Sequence, residues 1–359
     1  MMTKLFLAFD RELLIAEQRE QHWHVSSHFK GAHPVSLAAD PHNQHTVYCA
    51  TFDRGLWKTV DGGHSWEAID VSPSFGDFTE AKDYARATYT TLNVAAPSAH
   101  GQPAIIYAGT EPSSIVYCAD GSDSFVMLTD FAHAPSKANW FFPPRPYTHH
   151  VKHIEVHRSD PNLLYATIEV GGLFYSTDRG ATWSEAVNAP RDIHRLCTHA
   201  QAPARLYGAL GDSFLKQDHF GHAYAESIDH GLTWEYNIDG LEHHYAYDLA
   251  VHPQDPDIVI LATSSNPQHA HDYQAGRCES FLYRKQKGKP WTRLTDGLPD
   301  AQGSLIPALC VNAKGDFYAF NNKGVYRSVD RGLTWQSLNI PWQTRYMNQH
   351  PYAIIVLDK

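Results

Sequence analysis

Short apolar runs, each cut off after a few residues by polar or turn-forming positions, recur from one end of the chain to the other. Leu5-Phe-Leu-Ala-Phe, Leu163-Leu-Tyr-Ala-Thr-Ile, Gly172-Leu-Phe-Tyr-Ser and Tyr352-Ala-Ile-Ile-Val-Leu are examples. Runs of this length, bounded by turn signals, predict β-strands. Asp40-Pro41, Asp160-Pro161 and Asp255-Pro256 stand before such runs. Proline cannot donate to a β-ladder, so each pair marks the turn leading into a second strand. No apolar run reaches the length of a membrane-spanning helix.

The strands are organised by a repeated turn. Thr59-Val-Asp61-Gly-Gly63-His-Ser65-Trp66, Ser176-Thr-Asp178-Arg-Gly180-Ala-Thr182-Trp183, Ser227-Ile-Asp229-His-Gly231-Leu-Thr233-Trp234 and Ser328-Val-Asp330-Arg-Gly332-Leu-Thr334-Trp335 share one pattern. The spacings from Asp61 to Asp178 and from Asp229 to Asp330 are 117 and 101 residues, each long enough to hide a degenerate copy. Asp120 to Phe125 fits the first gap, and Gln286, Gly288 and Trp291 fit the second. A seventh copy has Gln18 and Trp23 at the Asp and Trp positions. Around a closed ring the spacings become 43, 59, 58, 51, 57, 44 and 47 residues. Each is close to one four-stranded blade, roughly 40–50 residues.

The fold expected is therefore all-β, a single seven-bladed propeller of four-stranded antiparallel blades. Its blades span about 350–359 with 1–30, then 33–70, 88–130, 149–187, 191–238, 243–296 and 303–340. The C-terminal strand is expected to join the N-terminal blade and remove an open edge.

The repeated turn resembles the Asp-box, or BNR repeat, of the sialidase, xyloglucanase and sortilin-like propellers. The resemblance implies the propeller fold and leaves the reaction open. The Phe/Tyr-Arg-Ile-Pro motif of sialidases does not occur here, and the arginine triad and nucleophilic tyrosine have no matching positions. A single seven-bladed unit also resembles the photosystem II assembly propeller in size. The boxes themselves read as structural: Asp accepts turn N–H bonds, Gly takes positive φ and Trp packs between sheets.

Composition narrows the partners. The formal charge is −10, with no basic run, which argues against nucleic acid or an anionic membrane surface. The five cysteines are scattered, without a CxxC, so neither a disulfide framework nor a Cys-rich zinc site is expected. Charges interrupt the N-terminal segment too early for a signal peptide, and a cytoplasmic location is the expectation.

In a propeller the blade-to-blade connections and the B–C turns share the face opposite the boxes. Three long connections fall there, Val71–Thr88, Asp130–Tyr147 and Ser264–Arg277. The second contains Trp140-Phe-Phe-Pro-Pro-Arg145-Pro-Tyr147, whose prolines stiffen it into a wall or cover. The 24 histidines are numerous, and several map to this face. His149 and His244 each lie eight residues before another histidine, at equivalent places in two blades.

His150, His194 and His244 are the candidate ligands for a divalent transition metal such as zinc, set against a plain polar wall. Glu169, His149 and His153 are the candidate acid–base residues. Arg54, Glu111, Arg145, Tyr147 and His243 are candidates for binding substrate, Arg145 as an anion clamp. Two functions follow. One is a hydrolase, glycosidase-like, or a metal-dependent lyase, acting on a small molecule or carbohydrate. The other is a non-catalytic platform for a protein partner.

Overall fold

The computed structural model describes residues 3–20, 22–70, 88–96, 102–119, 124–212, 221–273 and 276–358. Asp120 and almost all of the 71–88 connection lie outside these residues. Seven antiparallel sheets account for the named strands, and among the described residues helix is limited to short turns. The fold is an all-β seven-bladed propeller. By compactness the chain divides into residues 32–196 and residues 1–31 with 197–359.

In the second of these units, β1 (Thr3–Phe9), β2 (Leu13–Arg19) and β3 (His22–His28) form a sheet with the last strand, β27 (Pro351–Asp358). β27 runs antiparallel to β1 from Thr3 opposite Asp358 to Phe9 opposite Pro351. The chain ends thus complete one blade. β2 and β3 pair as far as Arg19 opposite His22, so the most degenerate box has become a tight hairpin.

In residues 32–196, β4 (Pro34–Ala39), β5 (Val47–Thr51), β6 (Gly55–Thr59) and β7 (Glu67–Asp70) form one blade. β8 (Thr88–Ala95), β9 (Ile105–Glu111), β10 (Ile115–Cys118) and β11 (Val126–Met127) form the next. β12 (Val151–Val156), β13 (Leu164–Ile168), β14 (Gly172–Ser176) and β15 (Ser184–Glu185) form a third. Two apolar clusters hold this unit, one of them built on Phe131, Trp140, Ile154, Ile168 and Phe174. Burying one such side chain stabilises by about 1.5–3 kcal/mol.

Continuing along the chain, β16 (Ile193–Thr198), β17 (Leu206–Leu210) and β18 (Tyr224–Ser227) form a three-stranded sheet. A single bridge, Glu226 to Glu235, stands where its fourth strand is expected. β19 (Tyr245–Val251), β20 (Val259–Ser264), β21 (Phe281–Lys285) and β22 (Thr292–Leu294) form the sixth blade. β23 (Ala308–Val311), β24 (Phe317–Asn321), β25 (Gly324–Ser328) and β26 (Gln336–Ser337) form the seventh.

The boxes show why their residues recur. In the box at Asp178, the Ser176 hydroxyl donates to Asp178 Oδ1 at 2.8 Å and accepts from Gly180 N at 2.7 Å. Asp178 also accepts from Thr182 N at 2.8 Å and from Thr182 Oγ1 at 2.6 Å. Gly180 has φ +92°, a backbone region open to glycine, and the Trp183 indole donates to its carbonyl at 3.0 Å. The hydroxyl–carboxylate bonds recur around Asp61, Asp229 and Asp330, and the indole bond recurs at Trp234. These aspartates are fully engaged by their own turns.

Among the described residues, the first strands β4, β8, β12 and β19 carry a β-bulge at their second or third residue. The register slips between Pro34 and Ser36, Tyr89 and Thr91, Val151 and His153, and Ala246 and Asp248. The extra residues are Val35, Thr90, Lys152 and Tyr247. A bulge re-aims the extra side chain, and bulges are frequent beside functional sites.

Candidate functional site

The site lies in residues 32–196, where β9, β12, β13 and the start of β16 deliver their ends. Glu169 is 8% exposed and begins the turn from β13 to β14. This turn is tight: a side chain on Gly171 would collide with Ile168 at 2.3 Å. His150 immediately precedes β12, and its Nε2 is 3.1 Å from Glu169 Oε2. Lys152, the bulge residue, brings Nζ to 3.2 Å from the same oxygen. His194, in β16, has Nε2 4.0 Å from Glu169 Oε1. Asp192 and His194 are two apart at a strand start and so share a side; His194 Nε2 is 3.5 Å from Asp192 Oδ1.

A second carboxylate adjoins the first. Glu111, at the end of β9 and 1% exposed, takes Nε and Nη2 of Arg145 at 2.8 and 2.6 Å. His150 Nδ1 stands 3.6 Å from Glu111 Oε2. His150 therefore lies between the two glutamates. The Arg145 guanidinium also lies over the rings of Phe142, at 4.7 Å, and Phe52, at 5.4 Å. Phe142 meets the His150 ring edge-on at 4.5 Å.

The 130–147 connection is a packed wall. Phe131 and Trp140 are buried in the blade core, and Trp140 meets the His149 ring edge-on at 5.5 Å. His149 Nδ1 accepts from Ser113 N at 3.1 Å, so its proton sits on Nε2. Burial, then Lys137 and His150, lower His149 to about 4, and the ring is neutral near pH 7.

Glu169 has the opposite character. Burial raises its pKa, but Lys152, His150 and His194 outweigh burial and hold it well below the usual carboxylate range. It is an ionised base or ligand, not a proton donor. Asp192 is fully buried; Oδ1 accepts from Val170 N at 3.3 Å, while Oδ2 is buried with no hydrogen-bond partner. One ligand-type atom from each of Glu169, Asp192 and His194 lies within 4.8 Å of the others.

The structure thus brings together Glu111, Arg145, His150, Glu169 and His194 of the sequence-derived candidates, with His149 in the wall behind. His153 lies farther along β12, its Nε2 3.7 Å from Glu155 Oε2. Arg54 is half exposed beside Asp53 at 3.6 Å, and Tyr147 is 69% exposed. His243 and His244 belong to the other unit. His243 stacks on Phe281 with ring centroids 3.6 Å apart, and its Nδ1 is 2.7 Å from Tyr283 Oη. His244 Nδ1 is buried without a hydrogen-bond partner.

Two members escaped the sequence reading, Lys152 and Asp192. The signal for both was spacing: each stands two residues from a candidate histidine at a strand start. His271 was also missed. It lies in α1 (Pro267–His271) of the other unit, with Nδ1 2.5 Å from His350 Nε2 and Nε2 2.8 Å from Tyr245 Oη.

The comparisons with known proteins bear on the fold. The BNR/Asp-box repeat model matches residues 174–185. The chain is a propeller carrying Asp-box repeats. Among solved structures this Asp-box propeller is similar to the GH74 enzyme of Niastella koreensis, at 14% identity and TM-score 0.63. That match covers 92% of this chain and 53% of the enzyme, so the chain spans about half the enzyme's length. YCF48 bound to D1 peptide aligns at 14% identity and TM-score 0.55, covering 90% of this chain and 92% of that one. A candidate 6-phosphogluconolactonase from Bacteroides uniformis aligns at 10% identity and TM-score 0.60, covering 99% of each chain. No functionally curated protein matches the chain. At these identities the likeness concerns the fold, which is shared by hydrolases and binding proteins alike.

Proposed function

We propose that the chain is a hydrolase or lyase acting on a small polar molecule of the carbohydrate class, with Glu169 as its general base. One observation carries this reading: a buried carboxylate held ionised between His150, Lys152 and His194 on a glycine-tight turn. Ionised and desolvated carboxylates are costly to maintain and recur where proton transfer is needed. In the reaction Glu169 takes a proton from water or from a substrate carbon. Lys152 and His150 hold the carboxylate in place. The Glu111–Arg145 pair and Phe142 shape the wall, and neutral His149 supports it. The GH74 and lactonase neighbours favour hydrolysis of sugars or sugar lactones at fold level only.

The test is product formation from a panel of aryl glycosides, oligosaccharides and aldonolactones, with Glu169→Gln beside wild type. The reading expects turnover that falls by about 100-fold or more in the variant, the usual worth of a positioned base. Turnover unaffected by Glu169→Gln, or none across the panel, sinks it.

A second reading, a protein-docking platform, is favoured by the box tips. Ile228, Leu232, Val329 and Leu333 are 71, 66, 68 and 55% exposed on two box turns. YCF48, bound to D1 peptide, is a neighbour in fold. Binding of a partner that is abolished by Ile228→Asp and Leu333→Asp, with Glu169→Gln silent, would establish this reading instead.

A further inference from the structure

We infer that Glu169, Asp192 and His194 form a binding site for one divalent transition metal ion, with zinc or manganese the best fits. The inference rests on the reading of the same site as catalytic and, with the ion bound, gives Glu169 the part of a ligand in place of that of free base. It starts from Asp192, which has no exposed surface. Its Oδ1 is held by Val170 N at 3.3 Å, but its Oδ2 is buried and lacks any hydrogen-bond partner. A buried carboxylate oxygen without a donor is costly, and native proteins rarely leave one so.

The neighbouring cations are already directed elsewhere. Arg145 makes two bonds to Glu111. Lys152 approaches Glu169 Oε2. Arg191, next to Asp192 in sequence, sends Nη2 to Val170 O at 3.2 Å. The other oxygen of the same carboxylate, Oδ1, stands beside ligand chemistry. His194 Nε2 is 3.5 Å from Asp192 Oδ1 and 4.0 Å from Glu169 Oε1. One such atom from each residue falls within 4.8 Å of the others.

Ions with bonds of about 2.0–2.2 Å need ligand atoms a little over 3 Å apart, so these three side chains must close in on the ion. One imidazole with two carboxylates is a mixed nitrogen–oxygen set, compatible with zinc or manganese and softer than an all-oxygen calcium site. The support behind the ligands is also in place. Val170 N holds Asp192 Oδ1, and His150 Nε2 and Lys152 Nζ stand 3.1 and 3.2 Å from the far oxygen of Glu169. Such outer contacts orient ligands and govern affinity.

This ligand set differs from the three histidines suggested by sequence. It keeps His194 and replaces the other two by carboxylates within the same unit.

The full chain, prepared without a histidine tag and stripped with chelator, is titrated with Zn²⁺ and with Mn²⁺ by calorimetry. Metal content is read independently by mass spectrometry. The expected result is one tight site, weakened at least tenfold by Asp192→Asn and by His194→Gln and unchanged by His243→Gln. Zinc should raise the melting temperature of wild type but not of Asp192→Asn, whose near-identical shape keeps the fold intact. Absence of tight binding, or binding that both site variants leave unchanged, overturns the inference. Metal bound without turnover sinks the catalytic reading and leaves this one standing, whereas turnover in a protein that titrates no metal does the reverse.

Discussion

Arg145 closes on Glu111 with two hydrogen bonds, 2.8 Å from Nε and 2.6 Å from Nη2, although the two residues are 34 apart in sequence. Glu111 is almost completely buried, and Arg145 is about one third exposed. The pair ties the 130–147 wall to the end of β9. Removing the cation strands a buried charge, which costs more than the pair contributes. Arg145→Met should therefore destabilise the chain by about 3 kcal/mol in urea unfolding. Lysine cannot reproduce two bonds from one planar group, so Arg145→Lys should recover only part of this. Adding Glu111→Gln to Arg145→Met should restore stability. Single variants within roughly 0.5 kcal/mol of wild type would refute the coupling.

The ends of this pair were visible in the sequence, because both map to connections on the face opposite the boxes. Glu169, His150 and His194 were visible for the same reason. Lys152 had a signal, its spacing from His150, but the bulge that carries it had none. Regular alternation puts Val151 and His153 on one face, yet they pair with the adjacent residues Ile168 and Thr167, which point to opposite faces. Asp192 was hidden because its role depends on Val170 N, 22 residues away. The fold was more legible than the site. A box is a local pattern of hydrogen bonds and announces itself in eight residues, whereas a site is assembled by long-range packing. His243 illustrates the difference: its position in the chain suggested a site, but its ring is occupied by Phe281 and Tyr283.

His153 and Glu155 should make stability depend on pH. Burial, then Arg195, depress His153 from 6.5 to about 4. As pH falls below 6.5 the unfolded chain takes up this proton first. The stabilisation is thus complete above about 6.5 and is lost towards 4, on the order of 3 kcal/mol. Burial raises Glu155, but His153, Arg158 and Arg195 outweigh it and hold the carboxyl at about 2. Its contribution is present above 4.5 and is lost as pH falls through 2. Urea midpoints measured from pH 7.5 to 4 should decline, and His153→Asn should flatten that decline. An identical slope in the variant would rule out His153 as its source.

The boxes predict the reverse of an active-site phenotype. Ser176 is buried, donates to Asp178 and accepts from Gly180 N. Ser176→Ala leaves that N–H unsatisfied and should cost about 1–2 kcal/mol. Metal binding and turnover at Glu169 should be unaffected below the melting transition. Ser176→Ala that lowers turnover without lowering stability would place the box in the chemistry, contrary to its geometry.

The last prediction concerns the blade made from both chain ends. Phe9, at the end of β1, meets Phe320 edge-on at 4.7 Å and lies 5.8 Å from Tyr346 and 5.9 Å from Trp342. The same strand carries the ladder to β27, with Phe6 opposite Ile355 and Leu7 opposite Ile354. Packing against the seventh blade and pairing with the C-terminal strand therefore act through one element. Phe9→Ala should cost about 3–5 kcal/mol, the range for a large aromatic removed from a core. Because β1 links both contacts, the amides of β27 and β24 should lose hydrogen-exchange protection together. Protection lost in β24 alone, with Ile354 to Val356 unchanged, would show that the closing ladder holds without the aromatic cluster.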